Sequence, residues 1–334
     1  MNRSSQFSKL VCLAVMACSA VALSRAGGVA RGAPQAVPAP RVPGARGTKR
    51  ALILCGHPGD KAHRKPFAES VEKIRDALIE RYQFSPDEVH VQFGGPVAEG
   101  EGPVLSGVRG QATREEIEGE AADLRKALQP EDTLWVIVIG HSHYDGKHSW
   151  FNIPGPDINQ QEFGKLFAGL ECREQVFFLT MPASGYYIKP LAAKGRVVIS
   201  ATEADLEVNE TVFPLALAEV LAAPPAPAEL DVDHDGRLTL FDLYIAIAKN
   251  VAERYVSDET LSTEHSQIDD NGDGRGTEVQ IDYLTEKQGG RLKEGKSPQP
   301  LRENADGAFS SRIILPPQPV KPAPEPPPAA AEPN

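Results

Sequence analysis

Cysteine is scarce in this chain: its 334 residues hold four, and Cys12 and Cys18 both fall in an apolar N-terminal run. With that run removed, Cys55 and Cys172 remain, too few for a disulfide framework. Cys55 falls near the C-terminal end of one predicted strand and Cys172 just before another. Those are opposite ends of a parallel sheet, so both are expected as free thiols. Long basic stretches are also missing, and the formal charge is -11. A nucleic-acid partner therefore has little electrostatic support, whereas the acidity suits cation binding. No second apolar run approaches the length of a membrane span, and no internal repeat is visible.

What is present begins with an export pattern. Arg3 and Lys9 precede the apolar run Leu10 to Leu23, and Ser24-Arg25-Ala26 places small residues where signal peptidase needs them. Residues 1–26 are read as a signal peptide and the mature chain as exported: periplasmic, extracellular or at the cell surface, with no stable membrane span. A retained anchor and a lipid on Cys18 are the alternatives. Residues 27–47, with Pro34, Pro38, Pro40 and Pro43, read as a flexible linker, and 295–334 as a Pro-rich tail. Within that tail Ile313-Ile314-Leu315 is an isolated apolar stretch able to dock back.

Between these ends, apolar runs alternate with helical patterns over 48–223. Ala51 to Leu54, Val89 to Phe93, Leu134 to Ile139, Val176 to Leu179 and Val197 to Ser200 read as strands. Helices are expected over about Pro66 to Tyr82, from Thr113 (whose Thr113-Arg-Glu-Glu116 is a capping box), and near Gln160 to Leu170, Tyr187 to Ala193 and Glu210 to Leu221. Val/Ile/Leu strands between amphipathic helices predict an α/β fold with a doubly wound, mostly parallel sheet.

Ligands of such sheets sit beyond the C-terminal strand ends. The residues expected there include Cys55, His57, His141, His143, Ser184 and Gly185, and a general base could stand at the histidines after the central strand. His63, His90 and His148 are read as surface or cleft-edge residues. His141, His143 and Asp145 are spaced closely enough to keep a zinc site in view. The order of elements resembles the caspase-like superfamily in its legumain-like branch: an apolar strand ending Gly140-His141, a short hairpin over Trp150 to Gly155, a helix, then a strand ending in Ser184-Gly185. The resemblance implies that His141 stands at the family's catalytic histidine and Pro182 where its nucleophilic cysteine belongs. Ser142 replaces the glycine after that histidine. Proline has neither a nucleophilic atom nor an N–H for an oxyanion, so the dyad is broken.

Asp231-Val-Asp233-His-Asp235-Gly236-Arg237-Leu238-Thr239-Leu240-Phe241-Asp242 fits a twelve-residue calcium loop. The donors for Ca2+ are Asp231, Asp233, Asp235, the Arg237 carbonyl, Thr239 and Asp242, and a helix over Phe241 to Tyr255 follows. The loop and its exiting helix resemble a dockerin or half an EF-hand, within a small helical segment over 229–294. A second loop, Asp269 to Gly274, starts in the same way, but Gly276 and Gln280 stand at its eighth and twelfth positions. It is read either as a weak site or as an Asp/Asn/Gly turn. These readings make the chain a pseudopeptidase that binds a protein or peptide ligand, with calcium. The alternatives are a hydrolase using Cys55 or Ser184 with His141, and a dockerin-like assembly component.

Overall fold

A computed structural model describes residues 47–95, 105–205, 207–293, 295–298 and 301–317. The expected signal peptide, the linker up to residue 46 and the tail beyond residue 317 lie outside the described residues. From Gly47 onward the described residues belong to one compact unit.

Its elements run β1 (Lys49–Cys55), α1 (Lys61–Glu80), β2 (Val89–Phe93), β3 (Val108–Gly110), α2 (Arg114–Ala127), β4 (Thr133–Ile139), β5 (Ser142–Tyr144), β6 (Ser149–Phe151), β7 (Ile158–Asn159), α3 (Gln160–Leu166), β8 (Glu174–Leu179), α4 (Ile188–Leu191), β9 (Arg196–Ser200), α5 (Phe213–Ala222), α6 (Pro227–Leu230), α7 (Leu240–Ser257) and β10 (Gln267–Asp269). Seven strands form one sheet in the order β10-β9-β8-β4-β1-β2-β3. Every neighbouring pair is parallel except β10, which runs antiparallel on β9.

Alternation along the strands divides the core into two layers, because successive side chains point to opposite faces. Ala51, Ile53 and Cys55 of β1 and Trp135, Ile137 and Ile139 of β4 pack towards α1, α5 and α7. Leu52 and Leu54, with Leu134, Val136 and Val138, pack towards α2 and α3 through Ile117, Leu124, Phe163 and Phe167. Helices therefore cover both faces, as expected. Winding reverses between β1 and β4, and a ligand crevice opens beyond the C-terminal ends of such a strand pair.

Several boundaries differ from the sequence reading for local reasons. Helix α1 begins at Lys61, not Pro66, because the Asp60 side chain caps it by accepting the His63 amide at 3.0 Å. Thr113 caps α2 through the Glu116 amide at 3.3 Å. The hairpin is not Trp150 to Gly155 but β5 with β6, which β7 extends to three strands. Asp145 shapes its tip, accepting the Lys147 and His148 amides at 2.8 and 2.7 Å and the Trp150 indole N–H at 2.8 Å.

The larger correction concerns everything after Ala223, expected as a separate small segment followed by an extended tail. Helix α7 buries Phe241, Leu243, Tyr244 and Ile247 in the same core layer as α1 and α5, and β10 extends the sheet. Ile313 and Leu315 dock as anticipated: the Leu240 amide donates to Ile313 O and the Leu315 amide to Leu238 O, each at 2.9 Å. Each fully buried large apolar side chain contributes roughly 1.5–3 kcal/mol, so α7 cannot detach cheaply. Truncating the fully buried Leu243 to alanine is expected to cost about 2–5 kcal/mol. Urea unfolding of that variant should remain a single transition shared by far-UV and tryptophan signals; two separated transitions contradict a joint core.

Candidate functional site

At the β1/β4 switch point the chain ends of both strands are locked together. The Gly56 amide donates to Ile139 O at 2.8 Å, and the His57 amide donates to Asn152 O of the hairpin side at 2.9 Å. His141 leaves β4 here, but its ring nitrogens do not face an open cleft. Nε2 meets the Pro58 carbonyl at 3.0 Å and Nδ1 meets Glu210 Oε1 at 2.5 Å. A carbonyl and a carboxylate both accept, so the arrangement favours a ring with protons on both nitrogens. The Glu210 hydrogen bond accordingly raises the His141 pKa; partial burial opposes it, and the Pro58 carbonyl adds to the rise. The edge of His63 stands 4.8 Å away centroid to centroid, and Phe67 closes the other side at 5.1 Å. His63 is itself held by Asp60 at 2.8 Å.

The turn after β8 is stitched rather than open. Pro182 is buried, and its carbonyl accepts the Ser142 hydroxyl. Ala183 adopts a left-handed conformation, φ 50°, which a non-glycine residue takes at a cost. Its amide donates to Glu207 O at 2.9 Å. Ser184 is fully buried; its Oγ accepts the Ala201 and Thr202 amides at 3.0 and 3.2 Å and contacts Thr202 Oγ1 at 3.2 Å. Those bonds make it the rivet between the turn and the end of β9. Gly185 has no alternative, since a Cβ there would stand 2.3 Å from the Glu203 carbonyl carbon.

Other expected site residues are placed apart from the crevice or occupied locally. Cys55 was expected to face it, yet its thiol is fully buried in the α1/α5/α7 layer, where desolvation raises its pKa. Cys172 is also a free thiol. His57 is exposed and accepts the Gly59 amide on Nδ1 at 3.0 Å; His143 is exposed and engages Asn152 Oδ1 at 2.8 Å. The zinc set of His141, His143 and Asp145 is not assembled: among the described residues the one metal-competent His/Cys/Asp/Glu group is Asp231, Asp233 and Asp235. A cavity of about 570 Å³ lined by Lys73, Val220, Val232 and Lys249 holds none of the residues expected at the crevice.

The three aspartates place one carboxylate oxygen each within 4.8 Å of one another, a donor set suited to a divalent cation. The loop is wound by left-handed His234 (φ 59°) and Gly236 (φ 80°). Asp231 accepts the Asp235 and Gly236 amides at 3.1 and 2.9 Å, and Asp235 pairs with the Arg237 guanidinium. Burial, then the neighbouring carboxylates, raises the Asp233 pKa. Thr239 and Asp242, expected as ligands, instead form the capping box that starts α7: Asp242 Oδ2 accepts the Thr239 amide and hydroxyl at 2.8 and 2.6 Å. Asp242 Oδ1 also accepts the Val232 amide at 2.9 Å.

The second loop has the same winding, with Gly272 and Gly274 at φ 79° and 78° and Asp269 accepting both their amides. Gln280 in its twelfth position turns into the core, accepting the Tyr244 hydroxyl at 2.7 Å. Asp306 takes over: it accepts the Asp270 amide at 3.3 Å and the Thr277 hydroxyl, the counterparts of the Val232 and Thr239 contacts of Asp242. Burial, aided by Asp269 and Asp270, pushes Asp306 up to about 6. Sequence reasoning missed Glu210 and Asp306. Glu210 lies 69 positions from His141 and carries no local signal; the Asp306-Gly307 pair in an otherwise Pro-rich stretch was the available clue for the other.

Replacing Glu210 by glutamine should lower the His141 pKa in an NMR imidazole titration. Because the folded value is raised, the pair's stabilisation is present below the ordinary histidine pKa and is lost as pH rises through the raised value. The stability loss should be ~1 kcal/mol or less, since Glu210 is half exposed and screened. An unchanged titration contradicts the pairing.

No protein-family model and no curated protein matches this chain, so its functional reading rests on the geometry of these residues.

Proposed function

We propose that the chain is an exported calcium-binding protein whose α/β body, caspase-like in its resemblance, binds a protein or peptide ligand without cleaving it. The observation that carries this reading is the state of His141: both ring nitrogens are taken by acceptors, and the turn tied to the adjoining Ser142 carries Pro182. A general base needs a free lone pair on its ring, and a nucleophile needs an accessible thiolate or hydroxyl. Cys55 is desolvated and Ser184 is saturated by backbone donors, which weighs against the hydrolase alternative. The dockerin-like alternative needs a calcium segment whose helix face is free for a partner; the apolar face of α7 is already buried in the body's core.

Calcium belongs to the first loop, where the Asp231, Asp233 and Asp235 carboxylates converge. Asp242 is drawn into the helix cap, so an affinity near that of extracellular modules, about 10⁻⁴ to 10⁻³ M, is expected. Among the described residues no helix is long and apolar enough to cross a membrane.

Two measurements on the purified protein test this reading. Calorimetric titration should show calcium binding that Asp231→Ala abolishes, and equal heats in both proteins refute the site. Against a broad peptide library with calcium present, no cleavage is expected and a thiol-reactive probe should leave Cys55 unlabelled. Cleavage that disappears in His141→Ala, with labelling at Cys55, overturns the binding reading in favour of hydrolysis.

A further inference from the structure

The segment Glu207–Val212 lies across the turn that ends β8 and is fastened at points that titrate. On the turn side, Glu207 O accepts the Ala183 amide at 2.9 Å, the Thr211 hydroxyl donates to Thr180 O at 2.5 Å, and the Glu210 carboxylate holds His141. On the opposite side the fastening comes from the approach to β10. The Glu207 carboxylate accepts the His265 amide at 3.1 Å, pairs with His265 Nδ1, and accepts the Glu203 amide at 2.8 Å. Glu264 reaches back to accept the Val212 amide at 2.8 Å, just ahead of α5. Glu264 is only 4% exposed, and its Oε2 lacks a hydrogen bond of good geometry, with the Tyr255 hydroxyl and the Phe213 amide nearby as weaker donors. A carboxyl so buried and so incompletely hydrogen-bonded is inexpensive when protonated and costly when ionised.

We propose that Glu207–Val212 is a proton-controlled strap over the turn of Pro182 to Gly185, seated while Glu264 and His265 hold their protons and loosened as they lose them. The groups facing Glu264 are Glu207 of the strap and Tyr255 of α7, together with the amides that open α5. His265 faces Glu207, Glu203 and Glu278, and His141 at the far end faces Glu210, Asp60 and His63. With three carboxylates near it, protonated His265 is the cation that pairs with the strap from the β10 approach.

The sign follows from which state holds more protons. Burial pushes Glu264 up to about 7, so its contribution is complete below the ordinary glutamate pKa and is lost as pH rises through that value. The Glu207 hydrogen bond lifts His265 to about 9, so the ion pair is complete below the ordinary histidine pKa and is lost as pH rises through about 9. Burial pushes Glu207 up, but the His265 and Glu203 hydrogen bonds outweigh it and leave the carboxylate below its usual range. Acid therefore releases the strap only at low pH. Both remaining changes act in one direction: the strap is tight in mildly acidic solution and opens in alkali. Opening frees the Ala183 amide, so the strained left-handed residue loses one of its restraints. The device does not depend on whether the turn serves binding or catalysis.

Hydrogen exchange on the full chain at pH 6 and pH 9, corrected for intrinsic rates, reads it directly. Amides of Ala183 and of 207–212 should lose about tenfold or more of their protection at pH 9, since each pH unit between altered pKa values is worth up to tenfold per group. Amides of β1 and β4 should keep theirs. Glu264→Gln should remove the part of the change that falls below about pH 7, and His265→Gln the part that falls between the ordinary histidine pKa and about pH 9. Equal protection of the strap at both pH values, or a full loss that survives both substitutions together, overturns the proposal. Should Glu264→Gln fail to fold, the wild-type series with His265→Gln decides by the same criterion.

Discussion

Burial of α7 against α5 is the contact on which the rest of the architecture depends. Phe241, Leu243, Tyr244 and Ile247 enter the layer that also holds Ile53, Ile137 and Ile199 of the sheet. Acidic loops are poor folding units by themselves, because their carboxylates repel and few side chains are apolar. Here the first loop is closed by the capping box that starts α7, and the tail supplies the antiparallel bridge between Thr239 and Ile314. The second loop begins on β10 and is completed by Asp306. Both loops thus borrow order from the body, and the C-terminal stretch of 301–317 serves each of them.

The crevice side follows a different logic. Parallel strands ending together create a row of chain ends whose backbone groups need partners. This protein satisfies them with polar side chains of the same turns. Ser184 accepts two amides of the β9 turn, Ser142 donates to the Pro182 carbonyl, and His141 spans from Pro58 to Glu210. The result is a well-tied surface with protonatable fastenings.

Much of this was legible because the relevant physics is local. Leu134 to Ile139 can only be a buried strand, and three aspartates spaced by two around Gly236 announce their turn. The helix cap at Thr113 was equally open to inspection. What escaped was non-local or competed with a local bond. Gln267–Asp269 is a three-residue edge strand with only Ile268 to mark it, and its antiparallel docking is set by β9. Glu210 and Asp306 reach partners far along the chain. Asp145 had the look of a metal donor, but the nearest amides of the hairpin tip claimed it first. Asp242 likewise fits a ligand position by spacing and a cap by geometry.

Loops and body that form one cooperative unit must couple calcium binding to the stability of the sheet. Trp135 sits in β4, 3% exposed, in the layer shared with α5 and α7, and the chain has two tryptophans. In a Trp150→Phe background, thermal unfolding followed by Trp135 fluorescence reports on the body alone. Calcium at about ten times its dissociation constant should raise that midpoint by about 3–6 °C, and a chelator should reverse the shift. A midpoint at Trp135 that stays fixed while calcium demonstrably binds would contradict the account.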